Sequence, residues 1–193
     1  MTAWGVLSMD TAAPHQLIDP DRFVSDKVRL SNVQSGTRAE RRFVDWAIDY
    51  GWREFSPADH DTSADAIIKK PTGESVAVQI KKGVYNKDRQ TWKWKTGRVR
   101  SANDSGKRTE MPYLMGAFDV LCAWIDTREH EQSWVNKEWG NDVFIILTYK
   151  ESQQAQSFSF DPKKSNKRAN NHDLLNAIAN SKQEAIAKLG RWW

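Results

Sequence analysis

"ADAIIKKPTGESVAVQIKK", residues 64–82, reads as two strands joined by a turn. Val76, Val78 and Ile80 alternate with Ser75, Ala77 and Gln79, the period-two pattern of a strand with one buried face. The two runs flank Pro71-Thr72-Gly73, three residues that suit a type I turn with glycine in the left-handed position. Lys70 then faces Glu74, and paired residue numbers sum to 144, which sets Asp65 opposite Gln79. A loop one residue longer or shorter would turn Asp65 to the other face. With this loop, Asp65, Gln79 and Lys81 share one sheet face, and the last two lie ~6–7 Å apart along the strand. A purely structural strand has no use for an acid, an amide and an ammonium side by side.

Those three groups suggest a chemistry. Asp65, the Gln79 side-chain oxygen and a nearby backbone carbonyl, that of Ile80, form an oxygen-only ligand set. Such a set suits a hard cation, Mg²⁺ or Mn²⁺, with water completing the shell. A lysine beside it, Lys81, orients or deprotonates a water, or offsets charge building up on phosphate. Upstream, "SGTRAERRFVDWAIDYGW" (35–52) is the clearest helix, with Ala39, Phe43, Trp46, Ala47 and Tyr50 on one apolar face and Gly51 placed to end it. Glu40 sits on the rim of that face and reaches the same site through water. Its structural alternative is to close a capping box with Thr37.

Charge patterning points to a partner. The net charge of +4 is mild. From Lys81 to Arg108, however, ten Lys/Arg stand against two acids, a balance of +8. From Glu110 to Asp142, seven acids stand against two bases, a balance of −5. This asymmetry suggests a polyanion-binding stripe. Within it, Lys93 and Lys95 alternate with Trp92 and Trp94 in "TWKWK", as on a strand with one basic face. The two indoles are expected in the core and the two lysines on DNA phosphates. Lys82, Lys87, Arg89, Arg98 and Arg100 complete the expected DNA-binding set.

The remainder bounds the molecule. A chain of 193 residues with 39% hydrophobic content fits one globular domain. Cys122 is the only cysteine, which excludes an intrachain disulfide and a cysteine-based zinc site and favours a reducing compartment. No apolar run approaches the ~20 residues that span a bilayer, and the expected location is cytoplasmic. "AFDVLCAWI" (117–125) and "DVFIILTYK" (142–150) read as buried strands, and "HDLLNAIANSKQEAIAKLG" as a terminal helix. The expected organisation is an irregular segment 1–34 and an α/β core 35–160 with a long basic excursion at 82–111. A basic linker and C-terminal helix occupy 161–193. Asp119 is expected to be structural. His60, after Asp59, has no spaced partner and makes a poor metal ligand.

"GTRAERRFVDWAIDYGW" followed by "SADAII…VAVQIKK" resembles the PD-(D/E)XK nuclease superfamily: a helical Glu, an Asp opening a hairpin strand, then Glu-x-Lys on the next strand. "YLMGAFDVLCAWID" is similar to the fourth strand of its homing-endonuclease branch. The resemblance runs from about Gly36 to Lys150. It implies a mixed central β-sheet flanked by helices, a restriction-endonuclease-like core in α-β-β-β-α-β order. It also implies Mg²⁺-dependent hydrolysis of DNA by a homing or restriction-like endonuclease of phage or bacterial origin, acting as a homo-dimer or homo-tetramer. By position, Glu40 matches the helical acid, Asp65 the invariant acid and Lys81 the lysine. Gln79 departs from the pattern, standing where most members have an acid. The alternatives are a Holliday-junction resolvase-like nuclease and a catalytically disabled nucleic-acid-binding protein of the same fold.

Overall fold

The computed structural model describes residues 32–57, 64–100 and 109–189. Helix α1 spans Asn32–Asp49. Ala39, Phe43 and Ala47, spaced by four, are buried along it, and Gly51 ends it with its N–H donated to the Ile48 carbonyl at 2.9 Å. The helix begins three residues ahead of the expected Ser35. Thr37 and Glu40 therefore lie inside it, where backbone N–H groups are already paired along the helix, and the capping-box reading of Glu40 falls. A capping box is formed by Thr148 and Glu151, at the short helix Tyr149–Ser152. Most of the expected irregular segment, and His60 with Asp59, lie outside the described residues.

Three strands follow: β1 (Glu54–Pro57), β2 (Ala66–Lys69) and β3 (Ser75–Lys82). The next four are β4 (Val84–Asn86), β5 (Thr91–Lys95), β6 (Arg98–Arg100) and β7 (Thr109–Met111). Then come β8 (Val120–Asp126), α2 (Ser133–Trp139), β9 (Asp142–Thr148), α3 (Tyr149–Ser152), β10 (Ser157–Phe160) and α4 (His172–Leu189). The central sheet runs β1-β2-β3-β8-β9. β3 and β8 are parallel, while the other neighbours are antiparallel, so the sheet is mixed. It is flanked by helices, as the sequence leads one to expect. All seven residues of β8 are buried, because it lies mid-sheet with both faces covered.

The two faces differ. On one, Val76, Val78, Val120, Trp124 and Phe144 pack with Phe43 of α1 and Leu175 and Ala179 of α4. Cys122 is on this face, and burial pushes its thiol well above its usual range. On the other face, Leu121, Ile125, Val143 and Ile145 pack with Trp92, Trp94 and Phe160. Those aromatics come from a second sheet of order β10-β5-β4. The long excursion at 82–111 is, among its described residues, mostly strand, and within it TWKWK is, as expected, a strand with Trp92 and Trp94 buried and Lys93 and Lys95 exposed. The pairing that organises it, Ser157 with Lys95 and Phe160 with Trp92, comes from far along the chain. The expected linker 161–171 is likewise an ordered loop, in which the Ile146 N–H donates to the Arg168 carbonyl at 3.0 Å.

Asp119 is structural. Its Oδ2 accepts from the Ala77 N–H at 2.8 Å and from Lys182 Nζ at 2.7 Å, which ties α4 to β3. Gly83 hands the chain from the central sheet to the second one. It donates its N–H to the Trp124 carbonyl at 2.8 Å. A β-carbon there would stand 2.4 Å from Ile125 Cδ1 and 3.3 Å from Trp92 Cβ. A side chain there would fit only if the Ile125 methyl turned away and Trp92 gave by a few tenths of an ångström, so the close approach of two packed layers favours glycine. Gly83→Val is expected to lower stability by about 1–3 kcal/mol through overpacking, read as a fall in the urea midpoint with an unchanged slope.

Candidate active site

The hairpin turn decides which side chains meet. Gly73 has φ +101° and donates its N–H to the Lys70 carbonyl at 3.0 Å, and Lys70 N–H reaches the Glu74 carbonyl at 2.9 Å. The resulting register pairs Ala66 with Val78 and Lys69 with Ser75, so paired numbers sum to 144. Asp65, one residue before β2, donates its N–H to the Val78 carbonyl at 2.8 Å. Its side chain thereby stands opposite Gln79.

Asp65 Oδ2 accepts the Ile80 N–H at 2.7 Å and also accepts from the Gln79 amide nitrogen. The same amide nitrogen lies 3.3 Å from the Ile80 carbonyl oxygen. Gln79 is buried, at 5% exposure. A carboxylate oxygen, an amide head and a backbone carbonyl therefore converge beside the end of β3. A half-turn of the Gln79 amide would replace its nitrogen by its oxygen, and the convergence would then be all oxygen. That donor set fits a hard divalent cation better than a soft one. Among the described residues no three or more His, Cys, Asp or Glu side chains cluster as metal ligands, here or elsewhere.

The electrostatics agree with that arrangement. Burial pushes the Asp65 carboxyl above its ordinary value of 3.8, although the Ile80 N–H, the Lys81 charge and the Gln79 amide pull the other way. Glu40 is exposed on α1, yet partial desolvation raises its carboxyl too, and the charge of Asp65 adds to the shift. The helical acid is thus electrostatically coupled to Asp65. Lys81 lies on the same strand face as Gln79, with its Nζ over the Tyr113 ring at 5.5 Å. Tyr113 itself is buried, its carbonyl accepting from the Tyr149 hydroxyl at 3.0 Å. This cation–π seat for Lys81 escaped the sequence reading. Its only sequence signal is an aromatic residue in "PYLMG", which nothing local ties to β3.

The expected DNA-binding cations divide. Lys87, Arg89 and Lys93 are exposed on or beside the β4–β5 hairpin, and Lys95 lies on its outer row. Lys82 points to the opposite face from Lys81, over the Trp124 ring, and pairs with Glu129 at 2.9 Å. Arg98 and Arg100 lie on β6, and their side chains lie outside the described residues. A cavity of about 510 Å³ opens between the loop before β8, the end of β9 and α4, lined by Met115, Phe118, Tyr149 and Ile178. It includes none of Glu40, Asp65, Gln79 or Lys81 and is mostly apolar, unsuited to a charged backbone.

The raised Asp65 value has a thermodynamic sign. A carboxyl harder to ionise in the folded state than in the unfolded state costs no stability below pH 3.8 and increasingly destabilises as pH rises through its folded value. Asp65→Asn, which keeps an acceptor for the Ile80 N–H, is expected to melt at or above the parent at pH 7 and to match it at acid pH. Mg²⁺ is expected to raise the melting temperature of the parent and not that of the variant, as differential scanning calorimetry with and without EDTA will show.

No protein-family model and no curated protein matches this sequence. Among solved structures, the bacterial homing endonuclease I-Ssp6803I superposes with a TM-score of 0.58 at 16% identity, covering 82% of this chain and 98% of that one. At that identity the likeness establishes the fold: this chain is folded like a bacterial homing endonuclease over nearly the whole length of that protein.

Proposed function

We propose that the chain is a metal-dependent DNA endonuclease of the PD-(D/E)XK type, homing or restriction-like in its action. The observation that carries this reading is the convergence of Asp65 Oδ2, the Gln79 amide and the Ile80 carbonyl on one point beside Lys81. The fold shared with a homing endonuclease supports it. So does the basic outer row of the small sheet, whose first strand begins at Val84, just past Gly83 and the end of β3.

Asp65, Gln79 through its oxygen, the Ile80 carbonyl and, through water, Glu40 would hold Mg²⁺ or Mn²⁺. When bound, such an ion supplies charge neutralisation at phosphate and a more acidic water. The protein groups do the rest. Asp65 is fixed by the Ile80 N–H, so its free lone pairs keep one direction. Lys81 brings three N–H donors to the same edge and stabilises negative charge developing on the phosphoryl oxygens as water attacks in line. Tyr113 seats that ammonium. Lys87, Arg89, Lys93 and Lys95 neutralise flanking phosphates. The products are a 5′-phosphate and a 3′-hydroxyl. Cutting both strands calls for two sites, hence a homo-dimer or homo-tetramer. The protein is of phage or bacterial origin in this reading, and its expected location is cytoplasmic.

One observation favours a second reading. The Gln79 amide presents its nitrogen to Asp65, so it stands where a cation would. A protein that retained the fold and bound DNA without cutting it would be built this way. Incubation with Mg²⁺ and a panel of linear duplex, four-way-junction and single-stranded DNAs separates the readings. Cutting at a defined duplex sequence marks the homing or restriction-like enzyme, and cutting of junctions whatever their sequence marks the resolvase. Binding without cutting in Mg²⁺ or Mn²⁺ marks the disabled form.

For the enzyme, Asp65→Ala and Lys81→Ala are each expected to lower the cleavage rate by about 10²-fold or more, with melting temperatures within a few degrees of the parent. Gln79→Glu is expected to tighten Mg²⁺ binding in calorimetric titration, since it adds a charge to the ligand set.

A further inference from the structure

The outer face of the small sheet does not end at β5. Lys93 is paired with Val84 on one side and Ser159 on the other, and Lys95 with Ser157. The flanking residues on β10 are short serines. Ser159 is shared with a second feature. With Lys164, Ser165, Asn166 and Lys167 it lines a cleft of about 480 Å³ formed by the loop after β10.

That loop is held from within. Asp161 accepts the N–H of Lys163 on its side chain at 3.0 Å and that of Lys164 on its carbonyl at 3.1 Å. Asn166 does the same for Arg168 and Ala169, both at 3.0 Å. Trp139 Nε1 donates to the Pro162 carbonyl at 3.1 Å. The Arg168 guanidinium donates twice to Glu151 Oε1, at 2.7 and 3.1 Å. Arg168 is therefore an anchor. Lys163 and Lys167 are exposed and hydrogen-bond only through their backbones, the Lys163 N–H donating to Asp161 and the Lys167 carbonyl accepting from the Asn171 amide at 3.0 Å, and among the described residues no acid pairs with their ammoniums. Lys164, 80% exposed, has only a 3.6 Å approach to Asp161. Three like charges within five residues on a fixed backbone repel one another until a polyanion offsets them, and a fixed backbone loses little entropy on binding one.

We propose that this loop is a second backbone-phosphate clamp for duplex DNA, reached from the Lys93 row through Ser159 and built from Lys163, Lys164 and Lys167. The proposal rests on the nuclease reading. The DNA track then runs from the Lys81 edge across β4, β5 and β10, ~10 Å of sheet, and on to the loop. The bound segment is correspondingly longer than the β4–β5 hairpin alone would hold.

The test is duplex affinity across a series of salt concentrations for the full-length parent and for K163A/K164A/K167A, with inorganic phosphate titrated separately. Log affinity falls with log salt by about 0.9 per neutralised phosphate. The triple variant is expected to flatten that slope by roughly two to three units. If the triple variant fails to fold, K163Q/K167Q serves, with an expected change of about one to two units. Equal slopes in parent and variant overturn the clamp and leave the nuclease reading standing. Phosphate binding lost in the variant with an unchanged DNA slope also overturns it, assigning the cleft to a free anion. A parent with no salt-dependent affinity for DNA overturns both.

Discussion

The Asp65 carboxylate accepting the Ile80 N–H across the β2–β3 hairpin is the contact on which the candidate site depends. It exists only in one register. A slip of one residue between the two strands would put Asp65 on the face opposite Gln79 and Lys81, since side chains alternate strictly along a strand. The register is fixed twice over, by the three-residue turn with Gly73 in the left-handed region and by Val76, Val78 and Ile80, which have to meet α1. Stability and chemistry therefore constrain the same eight residues of β3. The hydrogen bond also opposes the desolvation of Asp65 without cancelling it, and a carboxyl left harder to ionise is one that a cation relieves.

The central sheet separates two tasks by face. Helices α1 and α4 close one side, and Asp119 fastens α4 to β3 through Lys182. The other side is roofed by aromatic side chains of the small sheet, whose own outer side carries the lysines. Each strand of that small sheet thus serves core and surface at once: Trp92 and Trp94 inward, Lys93 and Lys95 outward. Because the layers meet at Gly83, directly after Lys81 and Lys82, the proposed DNA surface is positioned by the same strand that carries the proposed chemistry. The route from β3 into β4 is short, and in the proposed enzyme it would set the distance between the phosphates held and the phosphate attacked.

The sequence by itself determined what is local. The end of α1 at Gly51, the hairpin turn, its register, the buried strands β8 and β9 and helix α4 follow from period, turn chemistry and glycine placement within about twenty residues. The juxtaposition of Asp65, Gln79 and Lys81 belongs to that class, since two adjacent strands and one turn produce it. The tertiary structure decided what is distant. TWKWK was legible as a strand with buried indoles, but its pairing with β10, some sixty residues later, was not, and "FDPKKSNKRANN" becomes an ordered loop because β9, α2 and Glu151 hold it. Tyr113 beneath Lys81 and the pairing of Lys82 with Glu129 have the same origin. Glu40 lies between the two cases: its helix was legible, but only the packing of α1 on the sheet brings its charge within reach of Asp65. Backbone turns and side-chain alternation act over a few residues and leave a mark in the residue order. Pairing between remote strands is chosen by which apolar surfaces remain to be covered, and that choice exists only once the sheet has formed.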